Sequence, residues 1–225
     1  MPALAVERNE GLVHVDASGV TLDGNLIVPE NASGVVVFAH GSGSSRFSSR
    51  NRYVAQVLRD GGLGTLLIDL LTPREEAIDE RTAHLRFDIT MLATRLVGAT
   101  QWLAEQQETR RMNVGLFGAS TGGGAALVAA AQLPDRIKAV VSRGGRPDLA
   151  GSALPHVKAP TLLIVGGDDV PVIEMNEDAY ARMTAERKIE IVPGATHLFE
   201  EPGTLEEVAR LARDWFVRYL KNGKV

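Results

Sequence analysis

A serine, a histidine and a carboxylate, far apart along this chain, could together perform acyl transfer. Ser120 stands in Gly118-Ala119-Ser120-Thr121-Gly122, and His197 closes Gly194-Ala195-Thr196-His197. An acid is offered by Gly166-Gly167-Asp168-Asp169. A serine hydroxyl is nearly inert at neutral pH unless a base takes its proton as it attacks. Histidine suits that task, and a carboxylate behind it fixes the ring tautomer and steadies the imidazolium. The negative oxygen that develops on the attacked carbonyl needs hydrogen-bond donors, and losing one typically costs about 3 kcal/mol. The backbone N–H of Thr121 is one such donor. The loop His40-Gly41-Ser42-Gly43-Ser44 offers a second, the Ser42 N–H. Plainer readings compete: Ser120 as a helix N-cap, His197 as a surface-loop histidine, and one of Asp168 and Asp169 as a turn residue.

These residues need a frame that brings them together. The apolar run 113–117 ahead of Ser120 reads as a buried strand, and the small-residue run 123–132 behind it as a helix. Strand, G-x-S-x-G, helix is the context that gives the motif meaning. Runs 35–39, 65–68, 137–141, 161–165 and 188–192 read as further strands. The continuous apolar ones suit a parallel sheet covered on both faces. Runs 12–15 and 22–28 alternate, as an antiparallel pair would. Helical spacing is predicted over 53–59, from an Asp88 cap through Leu103, over 173–185 and over 205–220. Thr204-Leu205-Glu206-Glu207 has the form of a capping box. The charged segment 73–86 reads as a loop or short helix over one end of the sheet. Alternating strands and helices predict an α/β fold, mostly parallel, with helices on both faces and one domain over 1–225. The three candidates then lie in loops at the carboxyl ends of strands, where such sheets bind ligands.

Taken together, the chain resembles an α/β-hydrolase, and most closely the dienelactone hydrolase-related group. The resemblance rests on four motifs in order and spacing, and covers nearly the whole sequence. They are His40-Gly41-Ser42-Gly43-Ser44, Gly118-Ala119-Ser120-Thr121-Gly122, Gly166-Gly167-Asp168-Asp169 and Gly194-Ala195-Thr196-His197. It implies esterase-type hydrolysis through an acyl-enzyme without a cofactor, and it selects Asp169 as the acid. True dienelactone hydrolases use a cysteine nucleophile; Ser120 in that place points to a general carboxylic ester or thioester. The wider group includes domains fused to a phosphoribosyltransferase, and nothing of such a partner is expected in this chain. An acyltransferase using the same triad, or a non-catalytic or engineered protein on the same fold, are the alternatives.

Other residues could tune the site. Arg143 and Arg146 follow a central strand on the same side, and Arg46, Arg50, Arg52 and Arg86 lie in segments that could reach its rim. Arginine forks onto carboxylate or phosphate; solvated charge is the plainer account. Arg143, Arg146 and Arg86 are the substrate-binding candidates. His40 is expected to shape the Ser42 loop, Asp69 to be structural, and His14, His84 and His156 to lie at the surface. The gap 143–160 is too short for a cap domain, so an open site is expected, unlike the enclosed pocket of a dehalogenase or epoxide hydrolase. The run Gly122-Gly123-Gly124 lacks the lysine and spacing of a P-loop and suits close packing on the sheet.

Composition narrows the remaining classes. The 225 residues carry a net charge of -4, which argues against a nucleic-acid binder. No apolar run approaches the roughly 20 residues that span a bilayer. There is no cysteine, which removes disulfides, thiolate metal sites and a cysteine nucleophile. No metal-ligand spacing stands out. The first ten residues include Glu7 and Glu10 and lack an apolar core, so they do not read as a secretory signal. A cytoplasmic protein acting on a small-molecule ester, with no nucleic-acid or membrane partner, is the expectation.

Overall fold

The computed structural model describes residues 11–221; the segment read above as lacking a secretory signal lies outside them. The strands are β1 (Leu12–Asp16), β2 (Thr21–Ile27), β3 (Val35–Ala39), β4 (Gly64–Ile68), β5 (Val114–Ala119), β6 (Ile137–Arg143), β7 (Thr161–Gly166) and β8 (Arg187–Val192). They form one eight-stranded sheet in the order β1-β2-β4-β3-β5-β6-β7-β8. The pairs β1–β2 and β2–β4 are antiparallel and the others parallel. The predicted antiparallel entry and the mostly parallel α/β sheet are both present.

Among the described residues six helices cover it: α1 (Ser49–Asp60), α2 (Pro73–Thr82), α3 (Ile89–Glu105), α4 (Thr121–Gln132), α5 (Val170–Arg182) and α6 (Thr204–Leu220). Helix α1 begins four residues before the predicted 53, because the Ser48 hydroxyl accepts the Asn51 N–H and caps it there. The ambiguous segment 73–86 resolves into α2 and a 3-10 turn, Leu85–Phe87. Thr72 and Glu75 make the capping box that starts α2. Asp88 caps α3 as predicted, accepting the Met91 N–H at 2.9 Å. The capping box predicted at Thr204 is not formed. Gly203 is the N-cap, and Thr204 lies inside the helix with its hydroxyl donating to the Glu201 carbonyl at 2.7 Å. The chain enters α6 through a left-handed residue at φ 83°, which turns the threonine away from its own first turn.

The central strands divide their side chains between two cores. In β3, Val35, Val37 and Ala39 face one way, with residues of α3 and α4 such as Leu96 and Leu127. Val36 and Phe38 face the other way, with Leu58 of α1 and Phe216 of α6. A strand buried on both faces reads as an unbroken apolar run, and the period of two splits it. Phe38 and Phe117 meet across β3 and β5 with ring centroids 4.8 Å apart. Between β6 and β7 there are only 3-10 turns over Pro147–His156, kinked at Gly151, and no cap domain. Among the described residues no helix is long and apolar enough to cross a membrane.

Candidate active site

Ser120 occupies the tight turn between β5 and α4, at φ 50°, ψ −123°. A side chain at the neighbouring glycines would leave no room for this turn. A Cβ on Gly118 would sit 2.4 Å from the Gly122 carbonyl oxygen, and one on Gly122 would sit 2.3 Å from that of Ala39. Gly123 and Gly124 are pressed against Ser142 and Arg146 in the same way, so the glycine run serves helix–sheet packing. The Ser120 N–H donates to the Arg143 carbonyl at 3.2 Å, and its own carbonyl accepts from Gly123 and Arg146. Although Ser120 stands at the N-cap position, its hydroxyl makes no capping bond. It lies 3.4 Å from His197 Nε2.

His197 Nδ1 lies 2.7 Å from Asp169 Oδ2. With that proton donated to the carboxylate, Nε2 is left as an acceptor facing Ser120. Asp169 is positioned by its N–H on the Gly166 carbonyl at 3.1 Å, while Asp168 is exposed. The loop carrying His197 is tied by Glu201, whose carboxylate accepts the Thr196 N–H at 3.1 Å and its hydroxyl at 2.5 Å. The Thr196 hydroxyl and backbone N–H groups hold the Glu201 pKa below the usual carboxylate value.

Thr121 begins α4, so its N–H has no carbonyl one turn earlier to bond. The Ser42 and Thr121 hydroxyls meet at 3.1 Å, which brings the β3–α1 loop over the start of α4. His40 fixes that loop. Its Nε2 accepts the Leu70 N–H at 3.1 Å and its Nδ1 lies 3.0 Å from the Gly41 carbonyl, so both ring nitrogens are engaged. Asp69 accepts the Arg46 N–H at 2.7 Å and also pairs with its guanidinium. His14, His84 and His156 are exposed; His14 lies 3.0 Å from Asp23.

A cavity of about 360 Å³ opens above Ser120 and is lined by Ser42, Arg50, Asn51, Arg143, His197 and Leu198 among others. That is the lower end of the range for small-molecule sites. Of the arginine candidates, Arg143 and Arg50 reach it. Arg146 instead forks onto Asp148 at 2.9 and 2.8 Å. Arg86 binds buried Asp79 and lines, with Ser42 and Thr121, a second and smaller cavity. Arg46 and Arg52 line a separate cleft with Tyr53. Asn51, absent from the sequence candidates, shares the buried face of α1 with Val54, Ala55 and Leu58. A polar residue at i of an apolar i, i+3, i+4, i+7 stripe was the available signal.

The dienelactone hydrolase family profile matches residues 22–221. A crystal structure of a dienelactone hydrolase from Anabaena variabilis is 65% identical, with a TM-score of 0.92, covering 93% of this chain and 97% of that one. The esterase Est1E from Butyrivibrio proteoclasticus shares the fold at 17% identity, with a TM-score of 0.77 over 93% of this chain and 98% of its own. A Mycobacterium tuberculosis (strain H37Rv) protein, provisionally named a phosphoribosyl transferase, is 60% identical over 208 residues. That match takes in 92% of this chain but 46% of the relative, so the chain spans about half the length of the curated relatives it matches.

Proposed function

We propose that this chain, which belongs to the dienelactone hydrolase family, is a serine hydrolase cleaving small carboxylic esters or thioesters. The observation that carries this is the relay from Ser120 Oγ to His197 Nε2 at 3.4 Å and from His197 Nδ1 to Asp169 at 2.7 Å. Ser120 Oγ attacks the acyl carbon while His197 Nε2 takes its proton. The tetrahedral oxyanion rests on the N–H groups of Ser42 and Thr121 at the positive end of α4. As the intermediate collapses, His197 returns the proton to the leaving alcohol or thiol, and the acyl group stays on Ser120. Water then gives a proton to His197 and attacks, and the acid departs as the proton returns to Ser120. Asp169 keeps the imidazole in the required tautomer throughout. The scheme draws on no cofactor. The phosphoribosyl transfer in the name of the mycobacterial relatives is ascribed to proteins about twice as long, and hydrolysis is the activity proposed for the half this chain matches.

A fluorophosphonate probe tests the nucleophile directly. Wild type should gain one adduct on Ser120 and hydrolyse p-nitrophenyl esters, and Ser120→Ala should do neither. A wild-type protein that stays unlabelled would remove the proposal.

A further inference from the structure

Asn176 is fully buried on α5, the helix that follows directly on Asp169. Asparagine is a poor helix former, and the Asn176 Oδ1 is buried without a hydrogen-bond partner. A leucine of similar size would remove both costs, so the amide needs an explanation. Its Nδ2 supplies one. It donates to the Val172 carbonyl at 2.7 Å and, outside the helix, to the Gly145 carbonyl at 3.1 Å. Both neighbours are acceptors, so the amide is held in this orientation and acts as a double donor.

The Gly145 carbonyl and the Arg146 N–H are the two ends of one planar peptide. That N–H donates to the Ser120 carbonyl at 3.0 Å. The Ser120 carbonyl and the Thr121 N–H are likewise the two ends of a second peptide. A planar trans peptide sets its N–H opposite its carbonyl, so fixing one end aims the other. Hydrogen bonds in series also polarise one another, so a peptide whose carbonyl is well bound donates more strongly at its N–H. The series runs from Asn176 Nδ2 through two peptides to the Thr121 N–H, the donor proposed for the oxyanion. The loop it crosses has little slack: Gly144 turns at φ 49°, and a Cβ on Gly145 would collide with Ser142 Oγ. We infer that Asn176 is a positioning residue for the oxyanion site, acting by aiming and polarising the Thr121 N–H. Its own side-chain bonds go to Gly145 and Val172, not to the triad. One helix then serves the reaction twice, bringing Asp169 to His197 and Asn176 to the loop beside the serine turn. This deepens the hydrolase reading of Ser120 and rests on it.

The test uses Asn176→Leu, which keeps the bulk and removes the donor. Charge gathers on the carbonyl oxygen only towards the transition state, so a weaker oxyanion donor lowers kcat and leaves KM alone. For p-nitrophenyl acetate kcat should fall about tenfold with KM unchanged, less than the roughly 10²- to 10³-fold loss of a donor removed outright. A trifluoromethyl ketone, to whose carbonyl Ser120 Oγ adds to give a tetrahedral oxyanion, should bind more weakly by the same factor. Ala179→Gly, which loosens the same buried helix face without touching the amide, should shift neither constant. If Asn176→Leu fails to fold, Asn176→Ala, a better helix former than asparagine, should give the same split. A KM that rises with kcat unchanged, or kinetics equal to wild type, overturns the positioning role. A second readout needs no turnover. The amide proton resonances of Arg146 and Thr121 should move upfield in Asn176→Leu, as amides do when their hydrogen bonding weakens, and stay in place in Ala179→Gly. Unmoved resonances overturn the relay. Shifted resonances in a protein that neither cleaves esters nor takes the fluorophosphonate label leave the relay standing and overturn the hydrolase reading alone.

Discussion

Ser120 has φ 50°, which a non-glycine residue adopts only where its surroundings hold it. The glycines on either side made this legible in the sequence, because a turn too tight for Cβ atoms leaves its mark in residue type. The Asp169 partner was legible through the family pattern. The arginines were not. Arg86, Arg143 and Arg146 look alike in sequence, and only their neighbours show that Asp79 and Asp148 engage two of them. At this scale the sharpest expectation concerns Asp169→Asn. An amide there accepts no better than it donates, so His197 loses the constraint that leaves Nε2 free for Ser120. The ester-hydrolysis kcat should fall about 10³- to 10⁴-fold, with circular dichroism unchanged. A fall of less than tenfold in steady-state assays would mean that Asp169 does not orient the base.

Helix α2 shows how an element is built where the sequence pattern is weak. Its apolar face is slight, and its only fully buried residue is an acid, Asp79. Burial opposes the Asp79 charge, but the Arg86 guanidinium and the N–H groups of Arg86 and Leu85 outweigh it, so its pKa lies below the usual value. These bonds tie the end of α2 to the following 3-10 turn. Hydrophobic periodicity cannot reveal an element held this way, which is why 73–86 was ambiguous while α3 and α6 were plain. The Thr204 pattern failed for the converse reason: the motif was present, but the backbone enters through Gly203 and takes the hydroxyl elsewhere. A depressed pKa means that the carboxylate contributes stability in full above its unfolded pKa and loses it as pH falls through the folded value. Asp79→Asn should therefore lower Tm at pH 7, and the gap to wild type should narrow below the ordinary value of 3.8 and close as the pH falls through the lower folded value. Thermal melts across that range check it; a gap independent of pH would show that packing alone is lost.

Across the whole molecule, the sheet order and the two cores follow from strand runs apolar enough to be buried on both faces. That much was readable, because burial on two sides imposes composition on every position. What no sequence pattern marks is balance of charge in the interior, which depends on the summed neighbours of several elements. Arg143 is the clearest instance, an interior cation with no ion-pair partner among the described residues. A methionine of similar length at that position would remove the cost of keeping the charge dry. Arg143→Met should therefore stabilise the protein by about 1–4 kcal/mol, seen as a Tm several degrees higher by calorimetry. A lower Tm would show that the guanidinium is already satisfied. The molecule thus forgoes part of the thermal endurance open to its architecture by keeping a cation dry beneath its own surface.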